Sequence, residues 1–195
     1  MKELIDNFSK QLNEAVEIAL KQEFVNQRSM INNIVFTGMG GSGIGSKIVA
    51  QWIEKEIKVP ITFVQNYEIP SCINRDTLVI ATSYSGNTEE TLTSIEKCLK
   101  QGALVVGICT GGKLKEICEE NQIDCIIIPT GFPPRAALAY SLAQQLIVLI
   151  KFNLISWNSI NKLTNCSDFI AEHKEDIKLK AQEIVKVINH TNPVI

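Results

Sequence analysis

Apolar residues follow two different rhythms along this chain. At the start, Ile5, Phe8, Leu12, Val16 and Ala19 recur every three or four positions, which predicts one amphipathic helix over the first two dozen residues. From residue 33 the rhythm changes to short, nearly continuous runs of Val, Ile and Leu, predicting strands at 33–37, 61–65, 78–82, 103–109 and 125–128. Between them, helical spacing predicts helices at about 42–55, 88–100 and 112–121. A longer helix follows at 135–151, with Leu138, Leu142, Leu146 and Leu149 facing inward. Strands with no polar alternation are buried on both faces, so the pattern predicts an α/β fold: a five-stranded parallel sheet flanked by helices. Right-handed crossovers then put the functional loops at the carboxyl ends of the strands.

After residue 151 the pattern changes again. Residues 153–167 are rich in Asn and Ser, and 168–189 predicts a second long helix with no strand beside it. The last residues, Asn192-Pro193-Val194-Ile195, read as the opening of another strand, which predicts a truncated chain. The expected organisation is one domain over 1–152, followed by a linker and helix over 153–195.

Composition narrows the function by exclusion. The 195 residues are 45% hydrophobic and 21% charged, with net charge −2, as in an ordinary soluble globular protein. No basic run is present, so no nucleic-acid partner is expected. Charges interrupt the first twenty residues, unlike a signal peptide, and the apolar stretch Leu146–Ile150 is too short to span a bilayer. A cytoplasmic protein without a membrane partner is expected. Cys72, Cys98, Cys109, Cys118, Cys125 and Cys166 form no metal-ligand spacing and read as buried reduced thiols.

Three loops hold the candidate chemistry. The first, in NIVFTGMGGSGIGSK (33–47), carries five glycines in eight residues between a strand and a helix. Free N–H groups and the helix dipole favour an anion there, and the glycines allow close backbone approach. Gly38-x-Gly40-x-x-Gly43 fits a dinucleotide fingerprint, but Gln65 and Asn66 stand where the acidic ribose partner belongs. Gly40-x4-Gly45 continues Ser46-Lys47, the reverse of a P-loop, and Ile44 spoils a nucleophile elbow at Ser42. An anion cradle holding a hydroxyl, Ser42, is what remains.

The second loop, SYSGNTEE (83–90), gathers Ser83, Ser85 and Thr88 around Gly86 at another helix start. A capping box of Asn87 and Glu90 accounts for two of these residues, and ligand hydroxyls for the others. The third, TGFPPR (130–135), puts Arg135 at a helix start, where its charge opposes the macrodipole. It is either a solvated arginine or a guanidinium aimed at charge on a substrate. His173, in a charged helix, and His190, at a helix end, read as structural.

The combination TGMGGSGIGS, ATSYSGNTEET and PTGFPPRAALAY resembles the N-terminal half of the bifunctional phosphoglucose/phosphomannose isomerases, in the sugar isomerase (SIS) domain superfamily. The likeness runs from about residue 31 to 150. It implies a three-layer αβα fold, two such domains per chain and a homodimer. It implies that Gly41, Ser42, Ser83, Ser85 and Thr88 hold a sugar phosphate and that Arg135 stabilises an enediolate, with no metal or other cofactor. The family's base and ring-opening groups belong to a second domain, so these 195 residues are expected to bind substrate without turning it over. The alternative expectation is a stand-alone sugar-phosphate sensor without catalysis.

Overall fold

Five short strands form one parallel sheet: β1 (Asn33–Thr37), β2 (Ile61–Val64), β3 (Thr77–Thr82), β4 (Leu104–Cys109) and β5 (Asp124–Ile127). The computed structural model describes residues 1–26, 28 and 30–188. Strand order is β2-β1-β3-β4-β5. β3 and β4 are buried at every position, as their unbroken apolar runs require.

Alternation along the strands divides the core into two layers. Ile34, Phe36, Leu78, Ile80, Val106 and Ile108 face one cluster, which also contains α2 (Phe8–Leu20), α3 (Gly40–Ile53), α6 (Leu138–Lys151) and α7 (Asn158–Glu172). Val35, Val79, Ala81, Val105 and Cys109 face the other, covered by α4 (Glu89–Lys100) and α5 (Gly112–Glu120). The fold is therefore the expected three-layer α/β arrangement. Helix α6 is buried from Ala139 to Ile150, because the sheet, α2, α3 and α7 all pack against it.

The ends of the chain depart from the sequence pattern. The single N-terminal helix is two, α1 (Lys2–Asp6) and α2, separated at Asn7, whose φ of −101° and ψ of 11° leave the helical region. Residues 158–167 are helical and not a loop, since Ile160 and Leu163 sit in the core and the Ser167 hydroxyl donates to Ser9 O. The predicted helix over 168–189 is instead the end of α7 followed by α8 (Lys174–Ile188), with the break at His173. His173 is half-buried and stacked on the exposed Phe169 at 4.1 Å. His190, the end of the predicted helix and the predicted strand opening lie outside the described residues.

An N-terminal segment reaches across the sheet to β5. The Asp124 carboxylate accepts from the Val25 and Asn26 N–H groups at 2.9 and 3.0 Å, and Asn26 Nδ2 donates to Gln122 O at 2.9 Å. All six cysteines are free thiols, but only Cys98, Cys109 and Cys118 are buried. Cys125 is intermediate, and Cys72 and Cys166 are exposed, against the expectation for all six. Among the described residues, no helix is long and apolar enough to cross a membrane.

Candidate functional site

β1 and β3 are neighbours at the centre of the sheet, and their helices leave in opposite directions. After β1 the chain passes through α3 to β2 on one side; after β3 it passes through α4 to β4 on the other. In open α/β sheets such a switch point opens a crevice at the carboxyl ends of the two strands. The glycine loop and the Ser83–Thr88 turn both stand there.

Most of the glycines in the first loop make room for protein rather than ligand. A Cβ on Gly38 would lie 2.7 Å from Thr82 O, on Gly41 3.0 Å from Pro134 O, and on Gly45 2.7 Å from Ser141 Oγ. Only Gly40, in the left-handed region at φ +51°, has open space around its missing Cβ. That close packing brings the three loops together. Helix α3 begins with no side-chain cap, and the Ser42 and Gly43 N–H groups both turn back to Met39 O at 3.0 and 3.2 Å. Gly40 and Gly41 are left at the positive end of the helix, where first-turn N–H groups have no intrahelical acceptor.

At the second loop the capping box does not form. The N-cap of α4 is Thr88, not Asn87, and no side chain caps the helix. Thr88 Oγ1 instead shares a 2.9 Å hydrogen bond with Ser83 Oγ. Asn87 caps a different helix: its Oδ1 accepts from the Lys113 N–H at 3.1 Å, in the first turn of α5. Ser85 Oγ accepts from the Asn87 N–H at 3.2 Å, which shapes the turn. Two uncapped helix starts and three hydroxyls therefore flank the same switch point. Glu89 and Glu90 also lie in the first turn of α4 and oppose an anion there, which leaves the attraction to the N–H dipoles and hydroxyls.

The residues named from sequence come together unequally. Ser42, Ser83 and Thr88 are linked through hydrogen bonds: Ser42 Oγ accepts from the Tyr84 N–H at 3.3 Å, next to the Ser83–Thr88 pair. Gly41 packs against the third loop, its missing Cβ 3.3 Å from the Arg135 Cα. Ser85 is exposed on the outer side of its turn. Arg135 belongs to a short 3-10 turn, Pro134–Ala136, that precedes α6 instead of continuing it. Its exposed side chain makes no hydrogen bond or ion pair among the described residues. It helps line an apolar cavity of about 250 Å³ together with Leu4, Ile5, Phe8 and Ile170. A second cavity, of about 10 Å³ and so on the order of one water, lies between Ser42, Thr82, Tyr84, Pro134 and Ser141, where the three loops meet.

Sequence reasoning passed over Tyr84, Thr110 and Gln145. Thr110 N and Oγ1 both donate to Tyr84 O, at 3.0 and 2.8 Å. Gln145, fully buried on α6, donates from Nε2 to Thr82 Oγ1 at 3.0 Å, just before the serine turn. A tyrosine between two serines was the one available signal; the other two depend on contacts 26 and 63 residues apart in sequence. Among the described residues, no group of three or more His, Cys, Asp or Glu side chains could hold a metal ion.

Comparison with known proteins agrees with this geometry. A model of the SIS domain matches residues 29–151. The bifunctional phosphoglucose/phosphomannose isomerase of Caldicellulosiruptor bescii is 42% identical over 156 residues, covering 80% of this chain and 46% of that protein. Its counterpart from Aquifex aeolicus is 36% identical over 163 residues, covering 83% and 49%. The chain spans about half the length of these curated relatives. Among solved structures, the C-terminal domain of glucosamine-fructose-6-phosphate aminotransferase from Francisella tularensis matches with a TM-score of 0.71 at 19% identity. That match covers 97% of this chain and 60% of the other, a likeness of fold alone. With the family model covering more than half its length, on a 2-1-3-4-5 sheet with the glycine and serine turns at the switch point, the chain belongs to the SIS domain family.

Proposed function

We propose that this chain is the N-terminal half of an aldose–ketose isomerase that interconverts fructose 6-phosphate with glucose 6-phosphate and mannose 6-phosphate. The observation that carries this reading is the meeting of two uncapped helix starts, α3 and α4, with the hydroxyls of Ser42, Ser83 and Thr88 at one switch point. Neutral N–H and O–H donors converging there suit a phosphate monoester. The relatives named bifunctional phosphoglucose/phosphomannose isomerases narrow the ester to a hexose phosphate.

In this reading Gly41, Ser42, Ser83, Ser85 and Thr88 hold the phosphate. On binding, the Ser83–Thr88 hydroxyl pair turns from its internal bond to the ligand oxygens. Arg135, with no hydrogen bond or ion pair among the described residues, swings from the cavity wall toward the sugar. There its guanidinium offsets the negative charge of the enediolate as a proton moves between C1 and C2. Moving that proton and opening the ring require a base and an acid, which a second SIS domain of the whole protein supplies. Residues 1–152 form the phosphate-binding domain, and 153–195 lead toward the other one. The whole protein works as a cytoplasmic homodimer in carbohydrate metabolism.

The test is calorimetric titration and thermal unfolding of the 195-residue chain with fructose 6-phosphate and, separately, NAD. Binding and a raised unfolding temperature are expected with the sugar phosphate only, and Ser42→Ala weakens binding about three- to tenfold, the range of one hydrogen bond. A coupled isomerase assay on the same chain shows no turnover. Protection by NAD without fructose 6-phosphate overturns the reading, and turnover at ordinary enzyme levels overturns the assignment of the base to a second domain.

A further inference from the structure

We propose that Tyr84 is a positioning residue for Arg135, tying the phosphate-holding turn to the loop that carries the arginine; this rests on the role given to Arg135 above. Tyr84 sits between Ser83 and Ser85, yet its side chain serves another part of the chain. Its hydroxyl donates to Pro129 O at 3.2 Å and accepts from the Phe132 N–H at 2.8 Å. A phenol has one proton to give, and this one is engaged, so both contacts hold its orientation.

The loop from 129 to 135 has little else to hold it. Pro129, Pro133 and Pro134 lack an N–H. Between Ile128, whose N–H reaches Cys109 O, and Ala136, whose N–H turns back to Pro133 O, the Phe132 amide is the loop's backbone donor with an acceptor outside it. The Phe132 ring adds a second anchor against Tyr140, with centroids 5.4 Å apart. Beyond these anchors, Pro134 and Arg135 rest on Gly41. The main chain of Tyr84 is fixed at the same time, its N–H on Ser42 Oγ and its carbonyl under Thr110. A shift of the serine turn therefore moves the arginine loop with it. A tyrosine suits the task because its rigid ring carries a hydroxyl at a fixed reach with few rotamers to freeze.

The test compares three ligands on the 195-residue chain: inorganic phosphate, a hexitol 6-phosphate, and a five-carbon aldonic acid phosphate whose planar carboxylate imitates the enediolate. Tyr84→Phe keeps the ring and removes both bonds. It is expected to weaken the carboxylate ligand about tenfold, the size of one misaimed charge-assisted hydrogen bond, and the other two less than about twofold. In the background of Arg135→Ala the same change has no further effect, because the two residues act as one unit. Equal weakening of all three ligands, or additivity with Arg135→Ala, marks a merely structural role and overturns the inference. So does unchanged binding by Tyr84→Phe when the wild type prefers the carboxylate. If the wild type itself has no such preference, the role of Arg135 fails, and the inference fails with it. A measurement needing no variant is hydrogen exchange in the wild type, where the Phe132 amide exchanges more slowly than those of Thr130 and Gly131. Exchange of all three at one open-loop rate overturns the tether.

Discussion

Replacing Gly86 with alanine isolates the close approach on which the serine turn depends. Gly86 sits at φ +69°, and a Cβ there would overlap Gly111 O. Gly102 is the matched control: its φ is +74°, but its Cβ would meet only the Arg75 Cβ at an ordinary 3.9 Å. Both substitutions force an L-residue into the left-handed region, at about 1–2 kcal/mol. Both recover about 0.4–1 kcal/mol from a stiffer unfolded chain. Gly102→Ala should therefore destabilise by about 0–1.6 kcal/mol. Gly86→Ala adds an overpacking cost of about 1–3 kcal/mol. It also pulls apart two bonds that fasten the turn to α5, Leu114 N to Gly86 O at 2.8 Å and Lys113 N to Asn87 Oδ1 at 3.1 Å. The expected total is about 2–8 kcal/mol. Urea unfolding followed by circular dichroism gives both values, and calorimetry should show fructose 6-phosphate affinity lost in Gly86→Ala but kept in Gly102→Ala. If the two variants differ by less than about 0.5 kcal/mol, the approach of the two loops is not as tight as the structure has it.

Further expectations concern the thiols and the alkaline limit of stability. Exposed Cys72 and Cys166 should react at once with a thiol reagent, while Cys98, Cys109 and Cys118 wait for unfolding; five or six fast thiols in native protein would contradict the packing of α4 and α5. Burial raises the Cys98 thiol to about 11, and contact with Cys125 followed by burial raises that of Cys109. Tyr140 is raised by burial and then by its 2.7 Å bond to Glu14. Each group keeps its proton in the folded state where the unfolded chain releases it, so the contribution of these groups is flat below about pH 8.5 and falls as pH rises through about 11. Urea midpoints across that window check the direction of this contribution, and Tyr140→Phe should remove the part of the decline that begins near pH 10. A midpoint rising with pH would refute the assignment.

The centre of the chain was legible because its signals are local. Unbroken Val/Ile/Leu runs marked β3 and β4 within a residue at each end, and the helices between strands followed from spacing and glycine punctuation. The margins were less legible. The Asn- and Ser-rich composition of 153–167 hid the spacing of Ile160 and Leu163, the residues of α7 buried in the core. Nothing in the sequence announces the breaks at Asn7 and His173, which depend on how each helix meets its neighbours. The site was found by its loops, but not its wiring. Gly38, Gly41 and Gly45 stand against Thr82, Pro134 and Ser141, all distant in sequence, so their purpose cannot be told from that of a ligand-facing glycine. Asn87 looked like a cap for the next helix and caps the one after it. Tyr84 stood out between two serines, but its partners at Pro129 and Phe132 lie 45 and 48 residues away.

The clasp on Asp124 bears on how separate molecules of this protein meet. β5 ends the sheet on one side, and an edge strand offers unpaired main-chain groups to any other strand that comes near. Ile127, on that edge, is 44% exposed and adds an apolar invitation. The strand is only four residues long and starts with a carboxylate that holds Val25 and Asn26 beside it. A chain arriving at the start of β5 meets that segment and the carboxylate it covers, whereas the edge at Ile127 stays open. The N-terminal arm thus narrows the free edge from one end, and losing it would bare the Asp124 carboxylate together with the core surface that Phe24 now covers.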